Sequence, residues 1–95
     1  MHELAIAEGI LHVALEAAGP DEKVKSIHLR IGDLQHLTRD SLQFAFELLS
    51  EGTSAEQAQI EITKVHGFRH AILKLNFQIE HLVKITIVQV SIPSY

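Results

Sequence analysis

Val24-Lys25-Ser26-Ile27-His28-Leu29-Arg30-Ile31 sets Ile27, Leu29 and Ile31 against Ser26, His28 and Arg30, the two-residue period of a strand with one face in a core. A strand is expected within residues 24–34, with Gly32-Asp33 ending it and residues 34–37 as a loop. His28 then stands on the solvated face. The segments on either side switch to the helical period. Leu4, Ile6, Ala7, Ile10, Leu11, Ala14 and Leu15 recur at spacings of mostly three and four, which predicts an amphipathic helix over residues 4–18. Gly19-Pro20 stops it, because glycine suits a left-handed C-terminal position and proline cannot continue the ladder. Downstream, Thr38 is placed to cap a second helix. There Leu42, Ala45, Phe46 and Leu49 define one face, Phe44 and Leu48 widen it, and Gly52 closes it.

Residues 53–57 read as a polar linker. Ala58, Ile60 and Ile62 then alternate with Gln59, Glu61 and Thr63, so residues 59–65 form a second strand. A strand, helix and strand joined by a connection of this length can pair in parallel through a crossover, with the first helix beside the second; strand order stays open. Leu73, Leu75, Phe77 and Ile79 alternate with Lys74, Asn76 and Gln78 as a third strand. Val83, Ile85 and Ile87 continue the style until the phase slips to Val88, Val90 and Ile92, which suggests a bulge or burial on both faces. The expected fold is a small two-layer α+β domain, two helices packed on a mixed sheet of three to four strands. Residues 1–65 would form an α/β core, and residues 66–95 a β-rich tail that completes the same domain.

Ninety-five residues suffice for one core and not for two independent ones. With 46% hydrophobic and 21% charged residues, the composition is that of a folded globular chain. The net charge of −4 with interspersed signs leaves no basic stripe for phosphates, so nucleic acid is not an expected partner. No apolar run approaches the ~20 residues of a membrane span, and Met1-His2-Glu3 lacks the basic start of a secretory signal. A cytoplasmic location follows, with no membrane partner. The absence of cysteine excludes disulfides and every cysteine-ligated zinc or iron–sulfur site. Seven histidines leave imidazole as the main soft-metal donor.

Met1-His2-Glu3-Leu4 puts an imidazole one peptide bond from a free amine. The Met1 amine, the His2 backbone nitrogen and the His2 ring can reach one ion through small chelate rings, and the Glu3 backbone nitrogen can supply a fourth donor. Nitrogen donors in a plane suit Ni(II) or Cu(II), whereas Zn(II) prefers a tetrahedral set. The plain alternative is a frayed, solvated histidine at a chain terminus. Glu3 also has a structural reason to stand where it does, since the positive end of a helix dipole favours a carboxylate. His36 and Asp40 lie four apart at the start of the second helix and can approach the N-terminal site if the helices pack side by side; Asp40, too, is explained by the dipole. His66 and His70 share a four-residue spacing, and with His81 they can form a three-imidazole set. Surface histidines near a strand start are the default. Neither a nucleophile motif nor a glycine-rich phosphate loop is present, so the chain does not read as an enzyme.

Met1 to Ala7, Val24-Lys25-Ser26-Ile27, Ile31-Gly32-Asp33-Leu34, Ser41 to Glu47, Gly52-Thr53 and Ile60-Glu61-Ile62 occur in the order and spacing of a known family. Together they resemble the hydrogenase and urease nickel-incorporation metallochaperones, HypA/HybF, over about the first two thirds of the chain. The resemblance implies a nickel metallochaperone for NiFe-hydrogenase maturation, or for urease, with Ni(II) held at Met1, His2 and Glu3. It implies a nickel-handling GTPase and the hydrogenase large subunit as partners. The family's zinc-binding insertion, built on two Cys-X-X-Cys pairs, is replaced here by Val65-His66-Gly67-Phe68-Arg69-His70, and zinc is not expected. The alternative is a metal-free interaction module, a degenerate paralogue that acts through strand pairing, and the Ile- and Val-rich tail makes a homodimer a further expectation.

Overall fold

The computed structural model describes residues 3–32, 37–67 and 70–91, with the backbone alone for His70, Val90 and Ser91. Six elements follow one another: α1 (Glu3–Ala17), β1 (Lys23–Ile31), α2 (Arg39–Ser50), β2 (Gln59–Lys64), β3 (His70–Ile79) and β4 (Leu82–Ser91). The strands form one mixed sheet in the order β2-β1-β3-β4. Two helices on a four-stranded mixed sheet make the expected α+β arrangement.

β1 lies between β2, with which it pairs in parallel (Ile27 opposite Ile60), and β3, with which it pairs antiparallel (Ile27 opposite Leu75). Its ladder with β3 shifts between Val24 and Ser26. The extra residue, Lys25, turns Val24 and Ile27 onto the same face although they are three apart, and both are fully buried. The core face also carries Leu29, Ile31, Ile60, Leu73, Leu75 and Phe77. Ser26, His28 and Arg30 occupy the other face, where Asn76 Nδ2 donates to Ser26 Oγ (2.6 Å) and His28 Nε2 meets Thr63 Oγ1 (2.7 Å).

α1 buries Ala7, Ile10 and Ala14, at intervals of three and four, with Ile6, Leu11, Val13 and Ala17 packed at the margin. Leu4 and Leu15, expected in the stripe, are exposed instead, because three small or medium residues suffice where α1 approaches α2. Gly19 is not left-handed. Its N–H donates to Glu22 Oε1 (2.7 Å), and a Cβ there would stand 3.0 Å from the same carboxylate. At α2, Thr38 Oγ1 accepts from the Ser41 N–H (3.1 Å), the expected cap. Gly52 follows the helix at φ 80, the left-handed position that favours glycine. α2 buries Leu42, Gln43, Ala45, Phe46 and Ser50. Phe44 and Leu48 point to solvent, a second departure from the expected face. The segment after α2 is more than a polar linker, since Ala55 is fully buried and the Ser54 carbonyl accepts from the Val24 N–H (2.9 Å).

β3 and β4 form a hairpin whose ladder runs from His70 opposite Ser91 to Ile79 opposite Leu82. The ladder has no bulge, so the phase slip in β4 has another cause. Val83, Ile85 and Ile87 occupy the outer face and are exposed, while Val88 packs against the core. Both faces of β4 therefore carry apolar residues, and the described residues cover only one.

Candidate metal centre

α1 begins at Glu3, and Met1 and His2 lie outside the described residues. Glu3 is half-buried in the first turn of α1. Ala7, Ile10 and Ala14 fix that turn against the core, and α2 packs beside it. The first four N–H groups of a helix have no partner within its own ladder. The Glu3 amide is therefore left free by α1, as a backbone donor to an ion at its start requires.

The accessory residues are scattered. His36 lies outside the described residues. Asp40 sits in the first turn of α2 with a side chain 95% exposed, and among the described residues it pairs with Arg39, at 3.5 Å. Arg39 is itself anchored elsewhere: its Nε donates to the Ile60 carbonyl (2.8 Å) and its Nη2 to Gln59 Oε1 (3.1 Å). His66 stands in the turn after β2 and His81 in the loop between β3 and β4. The ten residues of β3 separate them, a span of roughly 30 Å at about 3.4 Å per residue. One ion cannot be shared by His66 and His81, so the three-imidazole set is excluded. The four-residue spacing of His66 and His70 does not fall on a helix, since His70 opens β3; its side chain lies outside the description. Among the described residues no group of three or more His, Asp or Glu side chains is close enough to hold an ion.

Two polar arrangements escaped the sequence reading. Gln43, only 6% exposed in the middle of α2, accepts from the Ile60 N–H (2.8 Å) and donates to the Ala58 carbonyl (3.2 Å). Glu22, beside the α1–β1 turn, pairs with Lys84 Nζ at 2.6 Å, and that ammonium lies 4.9 Å from the centre of the Phe77 ring. The Lys84 hydrogen bond and, after it, the Gly19 N–H hold the Glu22 carboxyl below its ordinary range. Both link residues far apart in sequence, and neither carries a spacing signal.

Known proteins give the N-terminal pattern its context. The model of a family described as hydrogenase/urease nickel incorporation, metallochaperone, HypA matches residues 1–70. The hydrogenase maturation factor HypA of Roseiflexus sp. (strain RS-1) is 43% identical over 67 residues, which cover 68% of this chain and 54% of that protein. That of Azotobacter chroococcum is 42% identical over 69 residues, 70% of this chain and 61% of that protein. That of Methanopyrus kandleri is 40% identical over 70 residues, 72% of this chain and 49% of that protein. The chain thus spans about half to three fifths of the length of these relatives, and all but the start of the β3–β4 hairpin lies beyond the matched residues. Glu3 and the α1–β1–α2–β2 unit that supports it lie wholly within the match, and on that ground the chain belongs to the hydrogenase/urease nickel-incorporation metallochaperone family, HypA.

Proposed function

We propose that this protein is a cytoplasmic nickel metallochaperone that carries Ni(II) at its N-terminus for the maturation of NiFe-hydrogenase, or of urease. The Met1 amine, the His2 backbone and ring nitrogens and the Glu3 backbone nitrogen form the donor set, with the Glu3 carboxylate as an outer partner. The observation that carries the reading is the start of α1 at Glu3, inside the part that matches the family. In the sequence His2 directly precedes this packed helix, and the Glu3 amide stands outside the helical ladder. A bare cation at a helix start opposes the dipole. Deprotonated amides offset that repulsion by bringing negative charge with the ligands. Nickel is the cargo, handed on to or received from a nickel-handling GTPase, with the hydrogenase large subunit as final recipient. Asp40, His36, His66 and His70 are not needed by this donor set.

Binding releases protons from the amine, the ring and the amides, so affinity rises with pH through the ranges where imidazole (about 6.5) and the α-amine (about 7.7–8.0) titrate. Calorimetry with Ni(II) should show a site abolished by His2→Ala, weakened by Glu3→Ala and unaffected by His28→Ala. A Gly-Ser extension before Met1 displaces the amine and should abolish the site as well. Equal affinity with and without the extension places the ion elsewhere. The second reading, a metal-free module acting through strand pairing, is favoured by the lack of any cysteine and by the exposed apolar face of β4. No heat of nickel binding from the native N-terminus would select it. Under either reading a second copy of the chain is a partner.

A further inference from the structure

The two edges of the sheet differ. β2, at one edge, has six residues, and side chains of α2 occupy its outward backbone groups: Arg39 Nε takes the Ile60 carbonyl, Gln43 Oε1 the Ile60 N–H and Gln43 Nε2 the Ala58 carbonyl. Glu61 and Lys64 add charge there. β4, at the other edge, has ten residues and, among the described residues, pairs on one side only, with β3. Alternate residues of such a strand aim N–H and C=O away from the sheet. Its outer face carries Val83, Ile85 and Ile87, between 55% and 67% exposed. Edge strands are usually guarded by a proline, a bulge or a charge. Within β4 the guard would be Lys84, but its ammonium is turned to the core side and held by Glu22 and the Phe77 ring.

The side-chain pattern of β4 is symmetric about Ile85. We propose that β4 pairs antiparallel with β4 of a second copy about a two-fold axis at Ile85, joining the two four-stranded sheets into one continuous sheet. In that register Ile85 faces Ile85 of the other copy, Val83 faces Ile87, Leu82 faces Val88 and Lys84 faces Thr86. Apolar meets apolar on the outer face, and no like charges stand directly opposite. Lys74, Asn76 and Gln78, the β3 neighbours of Ile87, Ile85 and Val83, flank this apolar ribbon on both sides as a polar rim. The same patch serves both copies, so the contact closes as a dimer rather than growing into a fibre. A contact of one strand per copy falls at the small end of specific interfaces, below about 1,200 Å², so the dimer depends on concentration. This inference specifies the homodimer of the preceding proposal and is independent of nickel.

Sedimentation of the full metal-free chain over a concentration series tests it. The expected result is a monomer–dimer equilibrium whose dissociation constant rises about a hundredfold in Ile85→Lys and in Ile85→Glu, since each sets two like charges face to face. Mixing the two variants should restore the dimer, because residue 85 meets itself. Glu61→Lys on the other edge should change nothing. Circular dichroism establishes that each variant is folded. If a position-85 variant is not, Val83→Lys mixed with Ile87→Glu asks the same question of the next pair. A wild-type chain that stays monomeric up to its solubility limit overturns the proposal and leaves β4 to an extended segment of another protein. A dimer untouched by Ile85→Lys, or opposite charges that fail to restore it, overturns it equally. Loss of nickel binding alone does not bear on it.

Discussion

Gln43 shows what a single residue can hide. In the sequence it is one polar position in an apolar helix, and a helix face is assigned by spacing, so it reads as solvent-facing. Its partners at 58 and 60 lie across a turn that no periodicity reveals. Buried polar groups need partners, and Gln43 closes both a donor and an acceptor at the β2 edge. Gln43→Ala would strand the Ile60 N–H and cost about 2 kcal/mol. Ser50 is the opposite case: fully buried, its Oγ finds no hydrogen-bond partner among the described residues. Ser50→Ala removes that unmet group and should leave stability unchanged or raise it by up to about 1 kcal/mol. Urea midpoints for the two variants should therefore move apart; a shared downward shift would mean that volume, rather than hydrogen bonding, governs both sites. The nickel site proposed at His2 and Glu3 draws on a different kind of signal, because donors on neighbouring residues are read from the sequence without the fold.

At the scale of elements, periodicity locates each described helix and strand but mistakes some faces. Spacing groups Phe44 and Leu48 with the core because apolar residues flank them, whereas both are exposed, and the angular room that α1 takes from α2 has no signature in α2 itself. The reverse holds in β4, where an apolar run on both faces suggests a bulge or double burial, whereas the ladder has no bulge and the described residues cover only one face. The hairpin is tied back by Glu22 and Lys84, 62 positions apart in sequence but 2.6 Å apart in space. Lys84 and then the Gly19 amide lower the Glu22 pKa from its ordinary 4.5. A carboxyl with a lowered folded pKa contributes stability that is complete above the ordinary value and is lost as pH falls through the lowered one. Wild type should thus lose stability faster than Lys84→Met as pH drops below about 4.5, with the two curves parallel nearer neutrality. Parallel curves throughout would mean the pair contributes nothing to folding, as solvent-exposed pairs often do.

At the scale of the molecule, the chain matches its family over residues 1–70 and completes its sheet with a hairpin of which all but the first residue lies outside that match. A cysteine-closed zinc site contributes folding free energy outright, and this sequence has no cysteine to build one. We expect no structural zinc, and a melting curve unchanged by a strong chelator; cooperative melting lost on chelation would contradict this. The stability that a metal would supply must then come from packing, and β3 is where it enters. Leu73, Leu75 and Phe77 are at most 2% exposed and stand directly opposite Leu29, Ile27 and Val24 of β1 in the ladder. At about 1.5–3 kcal/mol for each buried side chain, these three alone weigh roughly as much as the whole net stability of a small domain, about 5–15 kcal/mol. A chain ending at residue 65 should therefore be unfolded or insoluble although it contains the entire nickel-site proposal. A chain ending at residue 81, which keeps β3 and gives up β4, retains Phe77 in the core but loses Lys84 and Val88; it should fold with reduced stability and no longer dimerise. If the shorter chain instead melts cooperatively at the temperature of the full protein, β3 is an ornament on a self-sufficient core, and the packing argument fails.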